Sequence, residues 1–103
     1  MKKRFVIDGI EYTSDPHQTP GLQAIVVCDR GFVLYGTVEI KDSYLTISHG
    51  CCIRRWGTTA GLGQLAIYGP QSKTILDRQP ITLVHELKVV QIIECEGEPW
   101  KLP

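Results

Sequence analysis

The sequence has no excess of charge of either sign and no long hydrophobic run. Eleven Lys and Arg residues balance eleven Asp and Glu residues, so the formal net charge is zero. This balance excludes a whole-protein field that would attract nucleic acid or an anionic membrane, and any anion site must be local. The longest apolar run is Ala24 to Cys28. A segment needs about 18 apolar residues to span a bilayer, so this run is far too short. The basic N-terminus lacks a secretory apolar stretch, so we expect a cytoplasmic protein that does not bind membranes.

Cysteine is scarce and poorly spaced for a metal site or a disulfide framework. The four cysteines are Cys28, Cys51, Cys52 and Cys95, two of them adjacent and none in a C-x-x-C pair. We therefore expect reduced thiols and no bound metal, with Cys28 and Cys95 acting as small hydrophobic side chains in strands. A cysteine nucleophile would need an activating histidine and a third, orienting group, which the sequence does not place. We expect no catalytic residue and no cofactor.

Short β-forming runs recur along the chain between turn signals. Asp8-Gly9 predicts a hairpin over residues 4–13, and the Pro- and Gly-rich residues 14–21 predict a loop. Gly36 lies inside a later run and permits a bend or a bulge there. Further strands are predicted at residues 22–29, 32–40, 44–48, 51–56, 74–76, 81–86 and 87–95.

One short helix is predicted around residues 60–67. It follows Thr58-Thr59, whose hydroxyls suit a helix cap, and Gly69-Pro70 ends it. Many short strands without long helices predict a mainly-β fold, a small antiparallel SH3-like or Sm-like barrel, in a single domain over residues 1–103. The block from Val26 to Trp56 resembles the strongly bent strands of such barrels.

The segment from Cys52 to Ala66 is the chemically richest part of the chain. It places two arginines, an indole, two threonines and three glycines within fifteen residues. Guanidinium groups bind phosphate, an indole stacks on a base, and backbone N–H groups at a glycine-rich helix start hold an anion. The candidate ligand-binding residues are therefore Arg54, Arg55, Trp56, Thr58, Thr59, Gly61 and Gln64. The alternative is structural: the two arginines point to opposite faces of a strand, the indole closes the core, and the glycines form the turn.

The same segment resembles a family of small proteins encoded by phages and prophages. The matching stretch runs from Cys52 through Asp77. Its densest parts are Ile53-Arg54-Arg55-Trp56-Gly57-Thr58, Gly61-Leu62-Gly63-Gln64-Leu65-Ala66, Gly69-Pro70 and Thr74-Ile75-Leu76-Asp77. More distant relatives carry an arginine pair where this chain has Cys51-Cys52, so a role of that pair does not transfer to this chain.

The resemblance implies a role in the cytoplasm of a host cell, in counter-defence, in virion assembly or in the regulation of a host enzyme. Our leading hypothesis is a non-enzymatic sponge that sequesters an anionic nucleotide-type immune signal, acting as a homo-oligomer that encloses its ligand. One alternative is an anti-CRISPR-type inhibitor that binds a host defence protein. Another is a phage structural or RNA-binding small barrel, which the absent basic surplus disfavours.

Overall fold

A computed structural model describes the backbone of residues 3–7 and 10–14, and the backbone and side chains of residues 22–103. The described strands are β1 (Lys3–Ile7), β2 (Ile10–Ser14), β3 (Leu22–Cys28), β4 (Val33–Lys41), β5 (Tyr44–Arg55), β6 (Ile75–Gln79), β7 (Thr82–His85) and β8 (Val89–Glu94). Within these residues one α-helix, α1, spans Leu62–Tyr68, and short 3₁₀ turns span Asp29–Gly31 and Glu86–Lys88. The turn predicted at Asp8-Gly9 and, beyond Ser14, the predicted loop lie outside the described residues.

The described strands pair antiparallel, in a hairpin and a larger sheet. β1 and β2 form the predicted hairpin, with Ile7 opposite Ile10. The larger sheet has the order β6-β5-β4-β3-β8, and β7 pairs with the first part of β5. The mainly-β class, the antiparallel pairing and the short helix are confirmed. Among the described strands the sheet is open and does not close on itself, because β6 and β8 stay at opposite edges.

A β-bulge interrupts the pairing of β4 with β5 at Gly36, where the sequence permits one. Tyr35 pairs with Cys51 but Thr37 pairs with Ser48, so β5 carries one extra residue across this step. Alternate residues of a strand share a face, and one inserted residue reverses the alternation beyond it. β5 therefore sends its buried apolar side chains to one face of the sheet before the bulge, with Leu45 and Ile47, and to the other face after it, with Cys51 and Ile53.

Two glycines allow the backbones to approach at this bulge. A Cβ on Gly50 would lie 2.3 Å from the carbonyl oxygen of Tyr35, and one on Gly36 would lie 2.8 Å from a carbonyl oxygen of β5. The left-handed backbone of His49, with φ of 49°, absorbs the extra residue. The chain therefore continues through His49-Gly50 as one strand, β5, where the sequence predicts two.

Each face of the sheet carries an apolar cluster. The face that we call the helix face is covered by Leu65 and Ala66 of α1, and Trp100 and Leu102 of the C-terminal segment (residues 96–103) pack against it. Its buried sheet residues are Ile25, Val33, Tyr35, Cys51 and Ile53. The opposite face buries Ala24, Val26, Cys28, Leu34, Val38, Leu45, Ile47, Val89 and Ile92. The backbone of the β1–β2 hairpin runs beside β4 and β8.

Glycines bound the helix at both ends. Gly69 has φ of 81° and its N–H donates to the carbonyl oxygen of Leu65, so the predicted stop is confirmed. At the other end the cap is Gly61, with φ of 77° and no side-chain cap bond, so the cap predicted at Thr58-Thr59 is wrong. No helix of the described residues has the length and apolar character needed to cross a membrane.

Candidate functional site

A cleft of about 510 Å³ lies on the helix face, beside the bulge. Its floor is formed by Tyr35 and Thr37 of β4, with Gln23 of the neighbouring β3. One rim is formed by β5 and β6, and the other by the C-terminal segment. The bulge positions this site, because His49 and Gly50, the residues at the bulge in β5, belong to its lining.

Side-chain hydrogen bonds make the floor rigid. The Tyr35 hydroxyl donates to Gln23 Oε1 at 2.9 Å, and Gln23 Nε2 donates to Thr37 Oγ1 at 2.7 Å. Burial raises the pKa of the Tyr35 hydroxyl above its ordinary value of 10.0. The hydroxyl therefore stays protonated and keeps its donor role across the physiological range.

The wall formed by the C-terminal segment is aromatic and apolar. The Trp100 ring stacks on Tyr35 with ring centroids 3.7 Å apart and an interplanar angle of 2°. The Trp100 backbone N–H donates to the Tyr35 hydroxyl at 3.1 Å. Pro99 and Leu102 extend this wall on either side of the indole. Pro99, Trp100 and Leu102 thus form the apolar part of the lining.

The strand side of the cleft is polar and carries positive charge. Arg78 and Gln79 of β6 and His49 of β5 line it. No hydrogen bond or ion pair joins the side chain of Arg78 or of His49 to another residue of the described chain, in contrast to Arg54. No carboxylate belongs to the described lining. Arg78 pairs with Cys51 and so shares the helix face with it, and its guanidinium is an available charged donor for an anion beside the imidazole of His49.

The predicted arginine pair lies elsewhere, at the far end of β5. Arg54 forms a bidentate pair with Asp77 of β6, with Nε–Oδ2 at 2.8 Å and Nη2–Oδ1 at 3.3 Å. Arg55 is exposed and has no ion-pair partner among the described residues. The Asp77 carboxylate offsets the charge of the Arg54 guanidinium. Of the predicted pair, Arg55 is therefore the arginine whose charge is available to an anion.

The helix start is already occupied by a side chain of the protein. Gln64 Oε1 accepts from the backbone N–H of Ala60 at 2.8 Å, from that of Thr59 at 3.1 Å and from the Thr59 hydroxyl at 3.2 Å. These groups cannot also hold a ligand while this arrangement persists. Thr58 is half-buried, and Gly61 faces open space.

Trp56 and the glycine after it form a tight turn against the loop that enters β6. The Trp56 carbonyl oxygen accepts from the Thr74 hydroxyl at 2.6 Å, and its side chain is 43% exposed. Gly57 has φ of 64°, and a Cβ there would lie 2.3 Å from the carbonyl carbon of Lys73. The structure thus brings the predicted residues into one neighbourhood of strand end, turn and helix start, but none of them lines the described cleft.

Comparisons of the chain with protein-family models, with curated proteins and with solved structures gave no match. The resemblance to phage-encoded proteins and to SH3-like and Sm-like barrels therefore stays a prediction.

Sequence reasoning missed the residues that line the cleft. Arg78 is a single arginine near the end of a short strand, and Trp100 lies in a Pro- and Gly-containing C-terminal stretch without a periodic pattern. The one available signal was the isolated tryptophan near the C-terminus, since a large aromatic residue there usually packs against something. Nothing local in the sequence indicates that it packs on Tyr35.

All four cysteines are free thiols in the structure. Burial, with smaller contributions from Cys52 and Asp77, raises the pKa of Cys51 from 9.0 to about 12, and burial raises that of Cys95 to about 11. The pKa values of Cys28 and Cys52 are raised for the same main reason. Such thiols are poor nucleophiles near neutral pH, because the thiolate is the reactive form.

The buried thiols predict a fall in stability at alkaline pH. Unfolded Cys51 ionises near its ordinary pKa of 9.0, whereas the folded thiol stays protonated to about 12. Between these values the folded state binds one more proton at this site, so each pH unit costs about 1.4 kcal/mol in the free energy of unfolding. Because Cys95 contributes in the same direction, urea unfolding at several pH values should show a steeper slope in the wild type, and Cys51→Ala should reduce it by about 1.4 kcal/mol per pH unit. Equal slopes in the two proteins would contradict the assignment.

Proposed function

We propose that the chain is a binding protein that holds a small anionic, nucleotide-type molecule in the cleft without transforming it. The observation that carries the proposal is Arg78, a guanidinium without a protein partner in the described chain, facing a cavity whose other wall is the Trp100 indole. This combination offers a charge-assisted contact for a phosphate and an apolar, aromatic surface for a base or another planar group.

The size of the cleft supports a small molecule as the ligand. Pockets for drug-sized ligands and cofactors occupy about 300–1,000 Å³, are mostly apolar and contain a few placed polar groups. The cleft, at about 510 Å³, has this volume and this division between an apolar wall and a polar rim. Its fixed floor, held by the hydroxyl of Tyr35, reduces the rearrangement that binding requires.

The chemistry of the lining supports binding over catalysis. The described lining contains one imidazole, that of His49, and no carboxylate or thiol stands beside it there. General acid–base and nucleophilic mechanisms need a second group within hydrogen-bonding distance of the first. A sequestering protein needs only complementary contacts. If the chain is phage-encoded, as its sequence suggests, the bound molecule would be a nucleotide signal of host immunity.

A second candidate function is inhibition of a host protein through an exposed surface. Ile81, Leu83 and Leu87, on and beside β7, are 66%, 61% and 81% exposed. Exposed apolar residues close together on one edge are typical of protein interfaces. This candidate predicts capture of one host protein by a route that does not depend on Arg78.

The direct test is retention of intact nucleotides. Purified protein is incubated with cyclic dinucleotides, cyclic trinucleotides and ADP-ribose, washed, and heated to release any ligand for chromatography. We expect one class to return chemically unchanged. Arg78→Ala should weaken its binding by about 10- to 100-fold, the value of one lost charge-assisted hydrogen bond, without a shift in the thermal midpoint.

Arg54→Ala is the matched control, since it removes an arginine that is already paired with Asp77. We expect unchanged affinity in this variant. Loss of binding in Arg54→Ala and Arg55→Ala, with full binding in Arg78→Ala, would move the site to the turn after β5. Recovery of altered nucleotide would indicate an enzyme, and no retention of any class would refute the proposal.

A further inference from the structure

The cleft is built from two parts that are connected by very few bonds. Its floor and polar rim belong to the sheet, whereas its apolar wall belongs to the C-terminal segment, through Pro99, Trp100 and Leu102. This segment forms no strand or helix. A ligand that contacts Arg78 and the indole at once therefore bridges the sheet and a separately attached piece of chain.

The attachment of the C-terminal segment depends on Tyr35. At its start the N–H of Glu96 donates to the carbonyl oxygen of Ala66 at 2.8 Å. Beyond that point one hydrogen bond joins the segment to other described residues, from the Trp100 N–H to the Tyr35 hydroxyl. The ring stack at 3.7 Å and the packing of Leu102 supply the remaining contacts.

One feature opposes the docking of the C-terminal segment on the sheet. The Nε1 donor of Trp100 is buried and has no hydrogen-bond partner. A buried, unsatisfied donor forfeits the hydrogen bond that water would provide in the released state. The residues leading to Trp100, Gly97 to Pro99, are exposed and have no hydrogen bond in the described structure that would hold them in place. Docking of the segment is therefore a balance between apolar burial and this lost hydration.

We propose that the C-terminal segment is a movable wall of the cleft and that ligand binding and docking of the segment stabilise each other. The coupling rests on the proposed function, because it requires a ligand that touches both parts. A ligand that binds only the docked state shifts the equilibrium toward it, and any change that undocks the segment lowers the apparent affinity by the same linkage.

Hydrogen exchange of the Trp100 amide measures docking directly in the full-length protein. Tyr35→Phe keeps the ring stack but removes the hydroxyl that accepts from this amide. We expect about fivefold faster exchange at Trp100 in Tyr35→Phe, from the loss of one neutral hydrogen bond, and no change at the amides of β4 and β5. Cyclic di-AMP or ADP-ribose at millimolar concentration should slow exchange at Trp100 in the wild type.

A single-tryptophan protein provides a second readout. The chain has two tryptophans, and Trp56 lies outside the cleft, so Trp56→Phe leaves Trp100 as the sole indole. In this background we expect acrylamide to quench the fluorescence of Trp100 more strongly when Tyr35→Phe is added. We expect it to quench this fluorescence less strongly when the nucleotide is bound. Trp100→Ala should weaken nucleotide binding at least tenfold, whereas Trp56→Phe should leave it unchanged.

The outcomes separate this inference from the proposed function. If wild type binds a nucleotide but exchange at Trp100 does not respond to it, and Tyr35→Phe binds equally well, the movable wall is wrong and the binding function stands. If no nucleotide binds, the proposed function and its coupling fail together. A Trp100 amide that then exchanges as slowly as those of β4 would also refute movement of the segment itself.

Discussion

Substituting Gly57 with alanine should lower the free energy of unfolding by about 4 kcal/mol. The glycine has φ of 64°, a conformation that costs an L-residue about 1–2 kcal/mol. A Cβ would also lie 2.3–2.5 Å from backbone atoms of Lys73 and Thr74, and the backbone has less freedom to move aside than the end of a flexible side chain. Overpacking of this kind adds about 1–3 kcal/mol.

Gly31→Ala is the control for the steric part of this effect. Gly31 also has a positive φ, 82°, but an added Cβ would meet no atom within 4 Å. We expect a loss of about 1–2 kcal/mol from backbone strain alone. Urea unfolding of both variants measures the two costs. Equal losses would show that the contact between the turn and the loop before β6 does not constrain the fold.

The effect of Gly57 bears on function because the turn fixes the ends of β5 and β6. Thr74, one of the two residues at the close contact, donates its hydroxyl to the carbonyl oxygen of Trp56. It directly precedes β6, the strand that carries Arg78. We therefore expect any folded fraction of Gly57→Ala to bind the nucleotide more weakly, with a loss of secondary structure that Arg78→Ala does not show.

Leu65→Ala should destabilise the protein by about 3–4 kcal/mol. Leu65 is fully buried and packs α1 onto the helix face of the sheet. Truncating a buried leucine removes its transfer free energy and leaves a cavity, at a cost of about 2.7–5 kcal/mol in comparable sites.

Ile67→Ala on the same helix is the matched control. Its side chain is 52% exposed, so we expect a loss below about 1 kcal/mol. Thermal unfolding of both variants, with urea unfolding for the free energies, measures the difference. Similar losses would mean that α1 is not anchored by its buried face. The carbonyl oxygen of Ala66, the next residue of α1, accepts a hydrogen bond from the N–H of Glu96. Leu65→Ala should therefore also loosen the attachment of the C-terminal segment.

The neighbourhood of the arginine pair shows how far local reasoning extends. Arginines, an indole and glycines in a short stretch indicate an anion site by their chemistry, and the chain does bring them together. Their hydrogen bonds are nevertheless used within the protein, by Asp77 for one arginine and by Gln64 for the helix start. Asp77 lies 23 residues away from Arg54, so a short motif does not reveal the pairing.

Local sequence specifies the elements of the fold: β-branched runs form strands, Gly69 ends the helix, and Gly36 allows the bulge. These features depend on side-chain alternation and backbone conformation over a few neighbouring residues, which the order of amino acids specifies directly. The cleft, in contrast, results from contacts between distant parts of the chain. Strand pairing delivered Arg78 to the rim, and docking of Trp100 on Tyr35, 65 residues away, built the wall. Both depend on long-range contacts that no local pattern encodes.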